Sequence, residues 1–298
     1  MPRRQPFTAL CRQMAALALP SRADLHVHST ASDGEYTPSQ VVHLARRAGL
    51  AAVALSDHDT LAGIAEARAA AEGQIEVVPA VEITAEFLGR EVHLLGYFVR
   101  LDHPELNAAL ERVCVSRRQR FEEYCEKLAL HEDRVKLTAD TTPSLGRRHV
   151  ARTLIACGIA RTTDDAFRRF LKPLRGVVAP KIRIPVDEAI ALVHGAGGRA
   201  SLAHPPAEFD DTAFLRLKEM GLDALEAEYA WRRSAPAIRL RGIAENLGLL
   251  TTGGSDCHGP LPPHRGIGSV TIPIDGVVRL RGGEHASGSR DGGTLGST

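Results

Sequence analysis

The chain has 298 residues, 44% of them hydrophobic, and its 37 Lys and Arg nearly equal its 36 Asp and Glu. That balance excludes wholesale disorder and a fibrous protein, and a net charge of +1 does not mark a nucleic-acid binder. No apolar run reaches the length of a bilayer span. Five cysteines without CxxC spacing argue against a disulfide framework or a zinc ribbon, and for a reducing, cytoplasmic setting.

Residues 1–21 are expected to form a frayed or surface-docked helix rather than an export signal, because Arg12 and Gln13 interrupt the short apolar stretch. Short runs rich in Val, Leu and Ala then recur at 23–27, 51–55, 75–78, 92–99, 199–203, 222–227 and 249–252. Helical patterns separate several of them. Thr37-Pro38 opens one that runs to Ala48 and stops at Gly49, and 185–194 reads as another, ended by Gly195. Strands alternating with helices predict parallel βα units, and seven strands suit a barrel or a strongly curled sheet.

From Leu106 to Arg183 the pattern is helical. Residues 112–183 carry 17 Lys and Arg against 8 Asp and Glu, a balance of +9, and the rest of the chain balances at −8. The expected organisation is an acidic barrel (22–105 and 184–275) interrupted by a basic helical insertion (106–183). Such charge runs are commonly solvated helix faces, but a basic lobe beside an acidic, metal-binding site favours an anionic substrate. Residues 276–298 are rich in Gly and Ser and are expected to be disordered.

The chemistry-bearing residues cluster after the apolar runs. In Asp24-Leu25-His26-Val27-His28 the period of a strand puts both imidazoles on one face, and Asp33 follows within the next loop. An HxH pair by itself also occurs among structural histidines. Ser56-Asp57-His58-Asp59 ends the second run, where three adjacent ionisable groups need partners or metals. Glu82 interrupts a run of Val and Ile, and His93 interrupts Val92–Gly96. Each alone reads as a satisfied core or edge residue. Ala203-His204-Pro205 and Gly254-Ser255-Asp256-Cys257-His258 complete the series. Polar residues at the carboxyl ends of strands are where βα barrels carry their sites. The nine candidates, His26, His28, Asp33, His58, Glu82, His93, His204, Asp256 and His258, exceed the needs of one metal and suit two or three.

These six ordered motifs, from Arg22 to Pro273, resemble the PHP (polymerase and histidinol phosphatase) superfamily, and most closely its stand-alone phosphoesterases with a helical insertion. The resemblance implies a distorted seven-stranded (βα) barrel with an insertion subdomain and a trinuclear metal centre. His26, His28, Glu82 and Asp256 would hold the first ion. Asp33, His58 and His258 would hold the second, and Glu82, His93 and His204 the third. Manganese is expected, with iron or zinc as alternatives. Asp57 and Asp59 are assigned to the catalytic group as orienters of ligands or water. Gly146-Arg147-Arg148-His149 resembles a phosphate-binding segment of the same enzymes, so Arg147 and His149 are expected to bind substrate; a helix start with exposed charge is the alternative. Lys181 is a further candidate contact at a place where relatives carry arginine. Val178 and Cys257 replace aromatic residues, and packing is the expected role of Cys257.

The implied function is hydrolysis, by metal-activated water, of small nucleotides such as a nucleoside 3′,5′-bisphosphate, or of the 5′ ends of short single-stranded oligonucleotides. The alternatives are a histidinol-phosphate-like metabolite phosphatase and a non-catalytic polymerase-associated module; an amidohydrolase shares such His-rich barrels. No membrane or obligate protein partner is expected.

Overall fold

The computed structural model describes residues 21–229, 235–260 and 266–282. Seven strands make the wall: β1 (Arg22–Val27), β2 (Ala52–Leu55), β3 (Glu76–Phe87), β4 (Arg90–Tyr97), β6 (Arg199–Leu202), β7 (Ala224–Glu228) and β8 (Leu250–Gly253). Two-residue strands β5 (Ile184–Pro185) and β9 (Ile272–Pro273) add to β3 and β1. The spatial order is β8-β7-β6-β4-β3-β2-β1-β9. A parallel bridge between Val27 and Cys257 joins the β8 end to β1, so the sheet curls into a nearly closed barrel. β1, β2 and β6 are buried along almost their whole length, which explains why they read as continuous apolar runs.

The helices α1 (Pro38–Arg47) and α2 (Ile64–Ala71) cover the first strands. Thr37 caps α1 in a capping box with Gln40, and Pro38 takes the first helical position, as the sequence predicts. After β5 come α7 (Val186–Gly195), α8 (Asp211–Glu219) and α9 (Ala235–Leu247), alternating with β6–β8.

The parallel pairing expected of βα units does not hold at β3 and β4. β3 is twelve residues long and runs well past the predicted 75–78. Leu88 and Gly89, with φ of 52° and 71°, turn the chain directly back into β4. Two consecutive left-handed residues make the tight hairpin whose twist matches the strands it joins. β4 is therefore antiparallel to both β3 and β6. His93 lies in the first half of β4, and the reversed direction brings it to the barrel end where the parallel strands finish.

Between β4 and β5 lie α3 (Pro104–Lys127), α4 (Glu132–Thr141), α5 (Arg147–Ala156) and α6 (Thr163–Ala166), which runs into a π-helical turn at Phe167–Leu171. α3 belongs to two cores. Leu106, Leu110 and Val113 pack with the barrel, whereas Phe121, Tyr124 and Cys125 pack with α4–α6. The boundary expected at residue 106 thus falls inside a helix that joins the two parts. Residues 276–281, expected within a disordered tail, form the end of α10 (Ile274–Arg281): Val277 and Leu280 join the core beside β1 and β8, and Gly282 closes the helix at φ 96°. Residues 1–20 and 283–298 lie outside the described residues.

Arg117 of α3 is a buried polar tie between insertion and barrel. Its buried guanidinium donates to Asp59 Oδ2 at 2.6 Å, to Thr84 Oγ1 at 2.9 Å and to the Leu145 carbonyl at 3.1 Å. Removing one partner of a buried pair strands the other charge. Arg117→Met should therefore lower stability by about 3–5 kcal/mol. Arg117→Met/Asp59→Asn should recover part of that loss, as read by urea unfolding with chelator present.

Candidate metal centre

The nine side chains converge at one end of the barrel around Glu82, which is 1% exposed. Five imidazoles reach its carboxylate. His93 Nδ1 and His204 Nε2 meet Oε1 at 2.8 and 2.9 Å. His58 Nδ1, His28 Nε2 and His26 Nε2 approach Oε2 at 3.0, 3.2 and 3.4 Å. Asp256 Oδ1 lies 3.2 Å from His28 Nε2 and 3.5 Å from His26 Nε2. On the other flank His258 Nε2 lies 3.2 Å and His58 Nε2 3.9 Å from Asp33 Oδ1.

Local structure explains the convergence. His26 and His28 leave one face of β1 and its extension, and the antiparallel register sets His93 opposite Thr84, diagonal to Glu82. Gly254 lets β8 approach β1, since a Cβ there would stand 2.3 Å from the His26 nitrogen. Asp256 and His204 adopt left-handed φ of 52° and 28°, turning their side chains at strand ends. Backbone strain of this kind concentrates at functional sites.

The donors fit metal ions. They form four overlapping sets, each with ligand atoms within 4.8 Å of one another: His28/Asp33/His58/His258, His26/Glu82/His204, His26/His28/Asp256 and His58/Glu82/His93. His28 Nδ1, Asp33 Oδ1, His58 Nδ1 and Glu82 Oε2 are buried without a hydrogen-bond partner, a costly state that cations relieve. All donors are N or O, the chemistry of Mn, Fe or Zn; Cys257 is fully buried in the core beside α1, as its expected packing role requires. Burial alone would lower the His28 imidazole, but Asp256 and Glu82 push it up to about 10. His93, also opposed by burial, is raised to about 9 by Glu82. In Asp33 and Glu82 burial works the other way and is outweighed by the histidines, which hold both carboxyls well below their ordinary range. The carboxylates of the cluster are therefore ionised, and positive charge beside them holds them so.

A family model described as "PHP domain" matches residues 24–173. The chain belongs to the PHP domain family. The "5′-3′ exoribonuclease" of Haemophilus influenzae is 34% identical to it over 248 residues, 80% of this chain and 90% of that one. The "3′,5′-nucleoside bisphosphate phosphatase" of Chromobacterium violaceum is 28% identical over 257 residues, 82% and 90% of the two chains. A metal-dependent phosphoesterase structure from Bifidobacterium adolescentis superposes with a TM-score of 0.81 at 31% identity, over 91% of this chain and 100% of that one.

Beside the PHP cluster, a cavity of about 380 Å³ opens between α3, α5 and the segment before β5. Arg117, Arg120, Arg147, Arg175, Lys181 and Arg183 line it, with Phe121 and Tyr124. Glu91 stands in its wall, 3.4 Å from His93 Nε2 and 2.8 Å from Lys181 Nζ. Of the expected phosphate contacts, Arg147 and Lys181 face this cavity, and Val178 closes part of its wall. Burial and then Arg117 lower the Lys181 ammonium.

His149 departs from its expected role. It is buried; Nδ1 accepts the Gly146 N–H at 2.9 Å, and Nε2 lies 2.9 Å from the Ser32 carbonyl, to which it donates. Both ring nitrogens are used, so the neutral ring offers phosphate no free donor; it braces α5 against the Asp33 loop. Arginines of α5 stand nearer the cluster: Arg148 Nε lies 3.4 Å from Asp33 Oδ2, and Arg152 donates to the Asp33 carbonyl at 2.6 Å.

Asp57 and Asp59, expected as orienters of ligands or water, bond to the segments that carry the cluster. Asp57 accepts from the Ser29 N–H and from the hydroxyls of Ser29 and Ser32, shaping the loop that carries Asp33. Asp59 accepts from the Thr84 N–H and hydroxyl and from Arg117. Sequence reasoning missed Glu91, Arg117, Glu226 and Tyr229. Only Glu226 carried a local signal, as a carboxylate inside the apolar run 222–227; Tyr229 donates to Asp256 Oδ2 at 2.8 Å.

Two outcomes follow. The purified chain should hold more than one divalent ion after reconstitution with manganese at neutral pH, and His28→Ala or Asp256→Ala should lower that number, as elemental analysis would report; one ion or fewer in the parent chain would reject a multinuclear site. Burial lowers His149 from 6.5 to about 4. The folded ring stays neutral while the unfolded one takes up a proton, so its contribution is complete above 6.5 and is lost as pH falls toward 4. By pH 5 the loss is about 2 kcal/mol. The stability gap between the parent chain and His149→Gln, from urea unfolding, should shrink by that amount between pH 7.5 and pH 5.

Proposed function

We propose that this PHP protein is a metal-dependent phosphoesterase that hydrolyses nucleoside 3′,5′-bisphosphates or the 5′ ends of short single-stranded oligonucleotides. The observation that carries the reading is the juxtaposition of the nine-residue cluster with the basic, aromatic-lined cavity, one wall residue away through Glu91. His26, His28, Asp33, His58, Glu82, His93, His204, Asp256 and His258 would hold two or three divalent ions, manganese first and iron or zinc as alternatives. Bound there, the ions would supply charge to offset that developing on the reacting phosphate and would make water nucleophilic.

The chain's own residues do the rest. Arg147 and Lys181 would bind a phosphate remote from the bond that breaks, because they line the cavity and not the cluster. Arginine's planar fork suits that contact, and the guanidinium of Arg147 is steadied over the Phe167 ring at 5.8 Å. Tyr124 and Phe121, buried in the core of the insertion, back the cavity wall. Arg148, beside Asp33, would face the reacting phosphate. Six cationic residues against Glu91 around one cavity favour an anion with two or more phosphates over histidinol phosphate, whose organic part carries positive charge. The names of the relatives above agree with nucleotide substrates. A non-catalytic role is disfavoured by the complete cluster. Among the described residues no helix is long and apolar enough to cross a membrane, and a cytoplasmic setting is proposed from the cysteine pattern.

A charged hydrogen bond to phosphate is worth about 1.5–3 kcal/mol, so Arg147→Ala should lower kcat/KM on a nucleoside 3′,5′-bisphosphate by about ten- to a hundredfold. On a nucleoside 3′-monophosphate, which lacks the remote phosphate, the loss should be far smaller, with metal content unchanged. Equal losses on both substrates would move Arg147 to the reacting phosphate; no loss on either would leave the cavity without its assigned ligand.

A further inference from the structure

Glu226 lies on β7, is 0% exposed, and belongs to none of the four donor sets. Its two carboxylate oxygens have separate partners. Oε1 lies 2.9 Å from His26 Nδ1, and Oε2 accepts the backbone N–H of His204 at 2.6 Å. One side chain therefore grips a ring on β1 and the main chain just after β6, while its own strand pairs with β8, which leads to Asp256. His204 is held at a left-handed φ of 28°, a conformation that costs free energy and persists only where its surroundings enforce it.

We propose that Glu226 is a positioning residue of the metal centre: it keeps the proton of His26 on Nδ1, so that Nε2 presents a lone pair to the cluster, and it pins the strained turn that aims His204 at Glu82. This rests on the assignment of His26 and His204 as ligands. A carboxylate oxygen can only accept, so neutral His26 must place its proton toward Glu226. Nε2 is then the nitrogen left to face Glu82, Asp256 and His28, at 3.2–3.5 Å. Such a carboxylate–imidazole pair fixes ring orientation and strengthens the ligand.

Glutamine at 226 has the same shape but one acceptor. If its oxygen keeps the His204 N–H, its amide N–H₂ faces His26 Nδ1. The His26 proton then moves to Nε2, where it occupies the position of the lone pair. If instead the oxygen turns to His26, the His204 N–H is left buried and opposed by another donor. Either arrangement disfavours the ion.

The test uses the full chain loaded with zinc, which is diamagnetic, and ¹⁵N spectra of its histidine rings. In the parent protein His26 should show a protonated Nδ1 and a zinc-shifted Nε2. Glu226→Gln should weaken zinc binding by about 10–100-fold, with unfolding in excess chelator little changed. Ser201→Ala, which removes a neighbouring buried hydroxyl bonded to Thr252, should leave zinc affinity as it was. Zinc on His26 Nδ1, or unaltered zinc affinity in Glu226→Gln, would overturn the inference. So would a similar loss in Ser201→Ala, which would mean that any change inside the barrel loosens the site. If Glu226→Gln does not fold, the parent spectrum still decides which nitrogen takes the ion. A His26 ring untouched by zinc would remove the inference together with its ligand assignment. Failure of the manganese-loaded parent to hydrolyse a bisphosphate would instead count against the proposed reaction alone.

Discussion

Five histidine rings around the single buried carboxylate of Glu82 are the constraint on which the rest of the site depends. Imidazole pairs crowd here, with His28 and His258 stacked at 4.1 Å between centroids and His28 and His58 at 4.7 Å. Protonated together, those rings would repel; neutral and unligated, they would leave buried acceptors unmatched. Divalent cations resolve both problems. The barrel must bring β1, β2, β3, β4, β6 and the segment after β8 to within a few ångströms of one point, and small residues at strand crossings, above all Gly254, permit that approach.

The antiparallel placement of β4 is the second organising feature. It puts His93 diagonal to Glu82 and Glu91 on the far side of the ring, so the strand links the cluster to the wall of the basic cavity. The insertion is anchored to the same region through Arg117, Asp59 and Thr84, and through His149 and the Ser32 carbonyl. The insertion thus shares buried hydrogen bonds with the segments bearing His58 and Asp33. It also separates the work of neighbouring arginines on α5: Arg147 faces the cavity, and Arg148 reaches Asp33.

Much of this was legible in the amino-acid sequence. The nine cluster residues could be read because each sits in a short motif whose geometry is local. The two-residue period of a strand fixes which side chains share a face, and an ionisable group after an apolar run has few bland explanations. The seven wall strands, the capped first helix and the helical, basic insertion were determined at the same level, by hydrophobic periodicity and charge. Tertiary structure decided the rest. The direction of β4 depends on a Leu-Gly turn that carries little signal. His149 and Arg147 look alike in sequence, but only the Ser32 carbonyl, 117 residues earlier, shows that the imidazole is a brace. Asp59 finds Arg117 across 58 residues, and Glu226 finds His26 across 200. Such roles follow from which donor meets which acceptor in a closed barrel, and no local pattern encodes a partner that only chain closure brings near.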